Sequence, residues 1–211
     1  MQGCKRWAGR IALVTGASGG IGEGIARALA GIGMKVAIAA RRRERLDALA
    51  AELGQSGAQM LVCAGDVGKE TDVLAMFAAI KRHWDDVDVL VNNDGAPPLG
   101  AIDGFDDNTW QKAIEQNLFS VIRMVRSALP HMRQSGSGSI LNISAISAIQ
   151  PIAGFGLSVA SWSGLMGYAK TLSLEIAKDG INVNTICPGY IDTDRLQKVF
   201  NSGGEDPLKV R

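Results

Sequence analysis

Ile11-Ala12-Leu13-Val14-Thr15-Gly16-Ala17-Ser18-Gly19-Gly20-Ile21-Gly22 decides how the rest of the chain is read. A short apolar run ends in a glycine-rich turn, and a helical pattern begins within it. Glycines at such a turn allow a tight bend, and they let backbone N–H groups approach a pyrophosphate at a helix N-terminus. The strand before and the helix after stand where that mechanism needs them, which makes this more than a bare glycine pattern. A packing turn without ligand is the alternative.

Outward from this turn, short β-branched runs alternate with longer helical patterns. The spacing predicts strands at 11–15, 35–39, 60–64, 87–92, 139–143 and 182–187, and helices at 22–32, 44–54, 70–84, 108–133 and 154–179. Continuous apolar strands separated by helices imply a parallel sheet covered on both faces. Right-handed crossovers then make it α/β and doubly wound. The 211 residues suit one domain with a hydrophobic core, spanning 1–211. No internal repeat is visible, residues 135–139 form a small Gly/Ser loop, and 201–211 show no clear pattern.

A formal net charge of +1 offers no field to attract nucleic acid or an anionic membrane. No run of 18 apolar residues suggests a membrane span, and residues 1–10 do not resemble a signal peptide. The three cysteines, Cys4, Cys63 and Cys187, stand at no metal-ligand spacing. They read as free thiols in a reducing compartment, so a cytoplasmic protein without metal is expected. After the second strand stands Ala40, where an NAD-binding protein usually carries an acidic residue for the ribose hydroxyls. Arg41, Arg42 and Arg43 follow, suited to the 2′-phosphate of NADP or to a solvated helix start.

From residue 9 to about residue 194 the chain resembles the short-chain dehydrogenase/reductase family, whose fold is Rossmann-like. Thr15–Gly22 resembles the TGxxxGIG cofactor turn, and Asp66-Val67 the pair that contacts adenine. Asn92-Asn93-Asp94-Gly95 is similar to NNAG, Asn117 matches the structural and catalytic asparagine, and Pro188-Gly189 with Thr193 resembles PGxxxT beside the nicotinamide. The resemblance implies cofactor contacts at Gly16, Ser18, Gly20, Ile21, Gly22, Arg41, Asp66, Val67, Asn93, Gly95, Pro188, Gly189 and Thr193. Family members usually continue through further helices and a final strand, so either the sheet is shortened at its C-terminal edge or the chain is a shortened form of a longer protein.

The family's chemistry needs a Tyr, a Lys four residues later and an upstream Ser. Counting back from Pro188-Gly189 puts Ser158 at the Tyr position and Trp162 at the Lys position. Counting forward from Ser139–Ile143 puts Ala145 at the Ser position, beside Ser144. Asn117 alone of the four is kept. Tyr168 and Lys170 are two residues apart on a helix and face different directions, so they are no substitute. Asp94 and the bulk of Trp162 both lie on the implied cofactor path. These changes lead to the expectation of a non-catalytic subunit, with no or weak NAD(P) binding and NADP preferred if any. Its partner would be an active paralogue acting on alcohol or ketone groups, reached through the helices at 108–133 and 154–179. The hydroxybenzylsuccinyl-CoA dehydrogenase is similar in that logic, and a homodimer is the alternative assembly. Two other readings stand beside it. One is a repurposed enzyme or nucleotide sensor whose pocket is lined by Ser144, Ser158, Asn117 and Tyr190. The other is an ordinary NADP-dependent reductase, if the tetrad alignment is wrong.

Overall fold

A computed structural model describes residues 6–93, 95 and 97–201. Cys4 and Asp94, both singled out from the sequence, lie outside the described residues. Six parallel strands form one sheet: β1 (Ile11–Thr15), β2 (Lys35–Ala40), β3 (Met60–Ala64), β4 (Val89–Asn92), β5 (Gly138–Ile143) and β6 (Ile181–Ile186), in the order β3-β2-β1-β4-β5-β6. The strand order reverses at the β1–β4 pair, in register Ala12 to Val89, Leu13 to Leu90 and Val14 to Val91. Crevices for ligands open beyond the carboxyl ends of strands at such a reversal. The doubly wound parallel α/β fold expected from the sequence is therefore present.

Alternation along the central strands divides the core in two. On one face Ile11, Leu13, Ala37, Ala39, Leu90 and Ile140 pack with residues of α3 (Glu70–His83), α5 (Ser120–Ser135) and α6 (Gly156–Ile176). On the other, Ala12, Val14, Val36, Ile38 and Val91 pack with α1 (Gly20–Gly31) and α2 (Arg43–Gln55). Both-face burial explains why β1 reads as an unbroken apolar run. β6 differs from that expectation. Ile181 and Val183 join the first core, whereas Asn182, Asn184 and Ile186 on the opposite face are exposed. β6 is the edge of the described sheet, and polar asparagines on one side suit a strand covered on the other.

The helix expected at 108–133 is not continuous. α4 (Asp107–Ile114) runs into a π-helical segment, Glu115–Phe119, before α5 begins. The wider turn sends Asn117 inward, where it is buried, and leaves Phe119 exposed. Such π-bulges are common at functional sites. α4 is capped by Asp106, whose carboxylate accepts the Thr109 N–H and is held below the usual range by hydrogen bonding to Thr109. In α6 the buried residues Leu157, Ser161, Leu165, Ala169, Leu172 and Ile176 form a single stripe, and Leu174 on another flank is exposed. α7 (Asp194–Asn201) follows β6. No helix among the described residues is long and apolar enough to cross a membrane, and none of their His, Cys, Asp and Glu side chains group to hold a metal.

Cys63 on β3 is buried, and desolvation pushes its thiol up to about 11. Because its folded-state pKa lies above the unfolded value, the folded state binds that proton more tightly. Its stabilising contribution is complete below about pH 9 and is lost as pH rises toward 11. Urea unfolding of the parent and of Cys63→Ala should therefore diverge with pH. The parent should lose on the order of 2 kcal/mol more across that window. Parallel pH profiles would show that folding does not shift the thiol.

Candidate active site

The glycine turn is built against the loop that follows β4. Gly16 has φ +62°, a left-handed conformation, and a Cβ placed there would lie 1.8 Å from the Asn93 carbonyl oxygen. A Cβ on Gly22 would lie 2.5 Å from Asn93 Nδ2 and 2.4 Å from the Gly16 carbonyl oxygen. Thr15 ties the two segments together. Its Oγ1 accepts the Asn93 N–H at 2.9 Å, and it donates to the Val91 carbonyl at 3.4 Å. The N-terminus of α1 is thus left bare at Gly19 and Gly20, with no side-chain cap on its N–H groups.

From this turn a cleft of about 700 Å³ runs past the ends of β4, β5 and β6. That volume lies in the range of cofactor and small-molecule sites. Of the residues expected to contact a cofactor, Gly16, Ser18, Gly20, Ile21, Arg41, Asn93, Gly95, Pro188, Gly189 and Thr193 line it. Gly22 and Val67 are buried beside it, and Asp66 caps its own loop by accepting the Gly68 N–H. Two arginines extend the list. Arg42 donates from Nε and Nη2 to Ser18 Oγ, at 3.2 and 2.8 Å, and from Nη2 to the Ser18 carbonyl, while Arg45 lies alongside. Arg43 instead pairs with Asp47 along α2. The run of arginines was visible in the sequence, but which of them faces the cleft depends on the phase at which α2 starts.

At the far end of the cleft stand Ala145, Ser158 and Trp162. β5 delivers Ser144 and Ala145, and the Ser144 N–H donates to Ile186 O at 2.9 Å. Ser144 and Ser147 are buried, and their hydroxyls have no partner among the described residues. Ser147 had no signal in the sequence. It reaches the cleft only because a 3₁₀ turn, Ile146–Ala148, follows β5. Ser158 is buried on the first turn of α6. Trp162, one turn on, packs its ring against the first core, and its buried Nε1 has no partner. Ile146, Ile152, Phe155 and Ile191 make the remaining wall apolar, with Gln116 and Tyr190 as further polar lining. Tyr168 is not among the lining residues. It packs on the core, and burial raises its phenol.

Asn117 lies behind the cleft wall. Its Nδ2 donates to Ser161 Oγ at 2.7 Å, and Ser161 donates in turn to the Leu157 carbonyl at 2.8 Å. It thereby holds the π-helical segment against the turn of α6 that carries Ser158 and Trp162. The sequence-based proposal that Asn117 lines the pocket is corrected to a supporting place: a buried amide finds its partner on α6 rather than in open space.

The short chain dehydrogenase family model matches residues 10–203. The chain belongs to that family. A putative ketoacyl reductase of Streptomyces coelicolor is 38% identical over 191 residues, 90% of this chain and 73% of that protein. The 3-oxoacyl-(acyl-carrier-protein) reductase of Escherichia coli is 36% identical over 186 residues, covering 88% and 75%. Among solved structures, an actinorhodin polyketide ketoreductase variant with NADPH matches with a TM-score of 0.89 at 36% identity, over 96% of this chain and 78% of that one. The L-sorbose reductase of Gluconobacter frateurii, complexed with NADPH and L-sorbose, matches with a TM-score of 0.87 at 32% identity, covering 94% and 78%.

These findings overturn two expectations. Relatives that are reductases by name, with NADPH in solved neighbours, speak against a non-catalytic subunit dependent on an active paralogue. They speak equally against absent or weak dinucleotide binding. The sequence-based argument assigned the bulk of Trp162 to the cofactor path. In the fold the indole lies partly against the core, and a cleft of about 700 Å³ remains.

The Asn117–Ser161 bond generates a stability prediction. Asn117→Ala should cost about 1–3 kcal/mol by removing a buried hydrogen bond, read as a lower Tm with an otherwise native circular dichroism spectrum. An unchanged Tm would remove Asn117 from its supporting place.

Proposed function

We propose that this protein is an NADP(H)-dependent reductase of bulky, largely apolar ketones. The observation that carries the reading is the single cleft joining a bare helix N-terminus and two exposed arginines to a wall of unpartnered hydroxyls. The residues fit the dinucleotide at three points. Gly16 and Gly22 lack the Cβ that would close the turn. The α1 N–H groups are open to a diphosphate. Arg42, braced by Ser18, can meet a 2′-phosphate, and Arg45, which faces Asp194 at 3.8 Å, stands beside it in the same cleft. The printed NADPH complexes of the ketoreductase and the sorbose reductase support the same choice.

When bound, the reduced dinucleotide supplies a hydride to the carbonyl carbon of the substrate. The chain's own part is to receive the carbonyl oxygen and to provide a proton. Ser144 and Ser147 offer buried hydroxyls to the oxygen. The proton comes through Ser158 Oγ, which is restored from water. No lysine lines the cleft to lower a donor's pKa, and a serine hydroxyl is a weaker acid than a phenol of pKa about 10. Turnover is therefore slow relative to a Tyr–Lys site, by about the 10²–10⁴-fold that a positioned general acid contributes. Ile146, Ile152, Phe155 and Ile191 set the preference for apolar ketones.

Two measurements test this. Fluorescence titration should show NADPH binding at micromolar concentrations, with preference over NADH reduced about tenfold or more in Arg42→Ala, as expected on losing a charge-assisted pair. Ketone reduction should be measurable and should rise by about 10²–10⁴-fold when Ala145→Ser, Ser158→Tyr and Trp162→Lys are combined. No binding of either dinucleotide at millimolar concentration would overturn the proposal.

A further inference from the structure

We infer that Arg195 is a clamp on the diphosphate of the bound dinucleotide, reaching across the cleft from the opposite side to the glycine turn. The inference rests on the dinucleotide reading above and adds a residue to it. Arg195 lies in the first turn of α7 and lines the cleft mouth. Its Nη2 donates to the Pro97 carbonyl at 2.9 Å, so the side chain bridges the segment after β6 and the loop after β4. The same segment seats on the phosphate cradle. A Cβ on Gly20 would lie 3.3 Å from Thr193 Cγ2, which puts Thr193 directly over the start of α1.

The neighbouring charges are spoken for, and Arg195 is not. Asp194 faces Arg45, at 3.8 Å, and Asp192 accepts from Gln197. Among the described residues no carboxylate pairs with Arg195, and its Nε and Nη1 have no protein acceptor. A cation without a paired carboxylate, lining the same cleft as an uncapped helix N-terminus, suits an anion held between them. A guanidinium can meet two phosphate oxygens at once in fork geometry.

The test uses the full chain and three ligands: NADPH, NADH and ADP-ribose, which keeps the diphosphate but lacks the nicotinamide. Arg195→Ala should weaken all three by a common factor of about 10–100, leaving the NADPH-to-NADH ratio unchanged. Arg195→Lys should recover part of the loss. Arg42→Ala, by contrast, should alter the ratio. Thermal unfolding of each variant without ligand checks that the fold is intact. If the parent binds NADPH but Arg195→Ala binds all three within twofold of it, the clamp is wrong while the functional reading stands. A loss confined to NADPH and NADH, sparing ADP-ribose, would move the contact to the nicotinamide side and overturn the diphosphate assignment. If the parent binds none of the three, the functional reading fails and the clamp fails with it.

Discussion

Everything at the functional end of this molecule depends on the contact between Asn93 and the glycine turn. Parallel strands β1 and β4 lie side by side at the point where strand order reverses, and their carboxyl ends must diverge to leave a crevice. The chain achieves this by laying the Asn93 backbone against Gly16, too close for any Cβ. Thr15 locks the approach from both sides through its hydroxyl. With that seam closed, α1 is presented end-on to the cleft with its first N–H groups free. The glycines act here through the space they leave, since it is a neighbouring backbone that fills it.

A second contact, farther back, sets the catalytic end. The π-helical segment turns Asn117 inward, and its amide reaches Ser161 on α6. Ser158 and Trp162 sit on the same helical turn as that anchor, so their position is governed by a residue that does not itself line the cleft. The burial of Asn117 away from the cleft separates packing from chemistry. Removing Asn117 would leave a helix junction unpinned, whereas altering the groups facing the cleft changes chemistry with little effect on packing. The cleft end of that turn presents Ser158 and Trp162, with Ala145 opposite on the loop after β5.

Much of the fold was legible because burial on both faces leaves a plain mark in sequence. The centres of β1, β2 and β4 are apolar runs, Ile11–Val14, Val36–Ala40 and Val89–Val91. The break between α4 and α5 was not legible. A single residue inserted into a helical turn leaves the apolar period nearly unchanged, and only its backbone hydrogen bonding reveals it. The exposed face of β6 was similarly hidden, because Asn182 and Asn184 alternate with apolar residues in the way any half-buried strand does.

The candidate site divides along the same line. The sequence by itself determined the class of protein, the glycine turn with its arginines, and the identities of Ala145, Ser158 and Trp162, since all of these are local in the chain or fixed by counting from motifs. Only tertiary structure decided where the indole of Trp162 rests. Its packing against the core is a contact among distant elements, and its bulk alone had suggested a blocked cleft. Tertiary structure also decided that Arg42 rather than Arg43 is braced by Ser18, that Ser147 joins the polar wall, and that Arg195 meets Pro97 across the cleft. Each of these depends on the direction in which a side chain leaves a folded surface. Direction is set by the packing of elements far apart in sequence, and no local pattern encodes it.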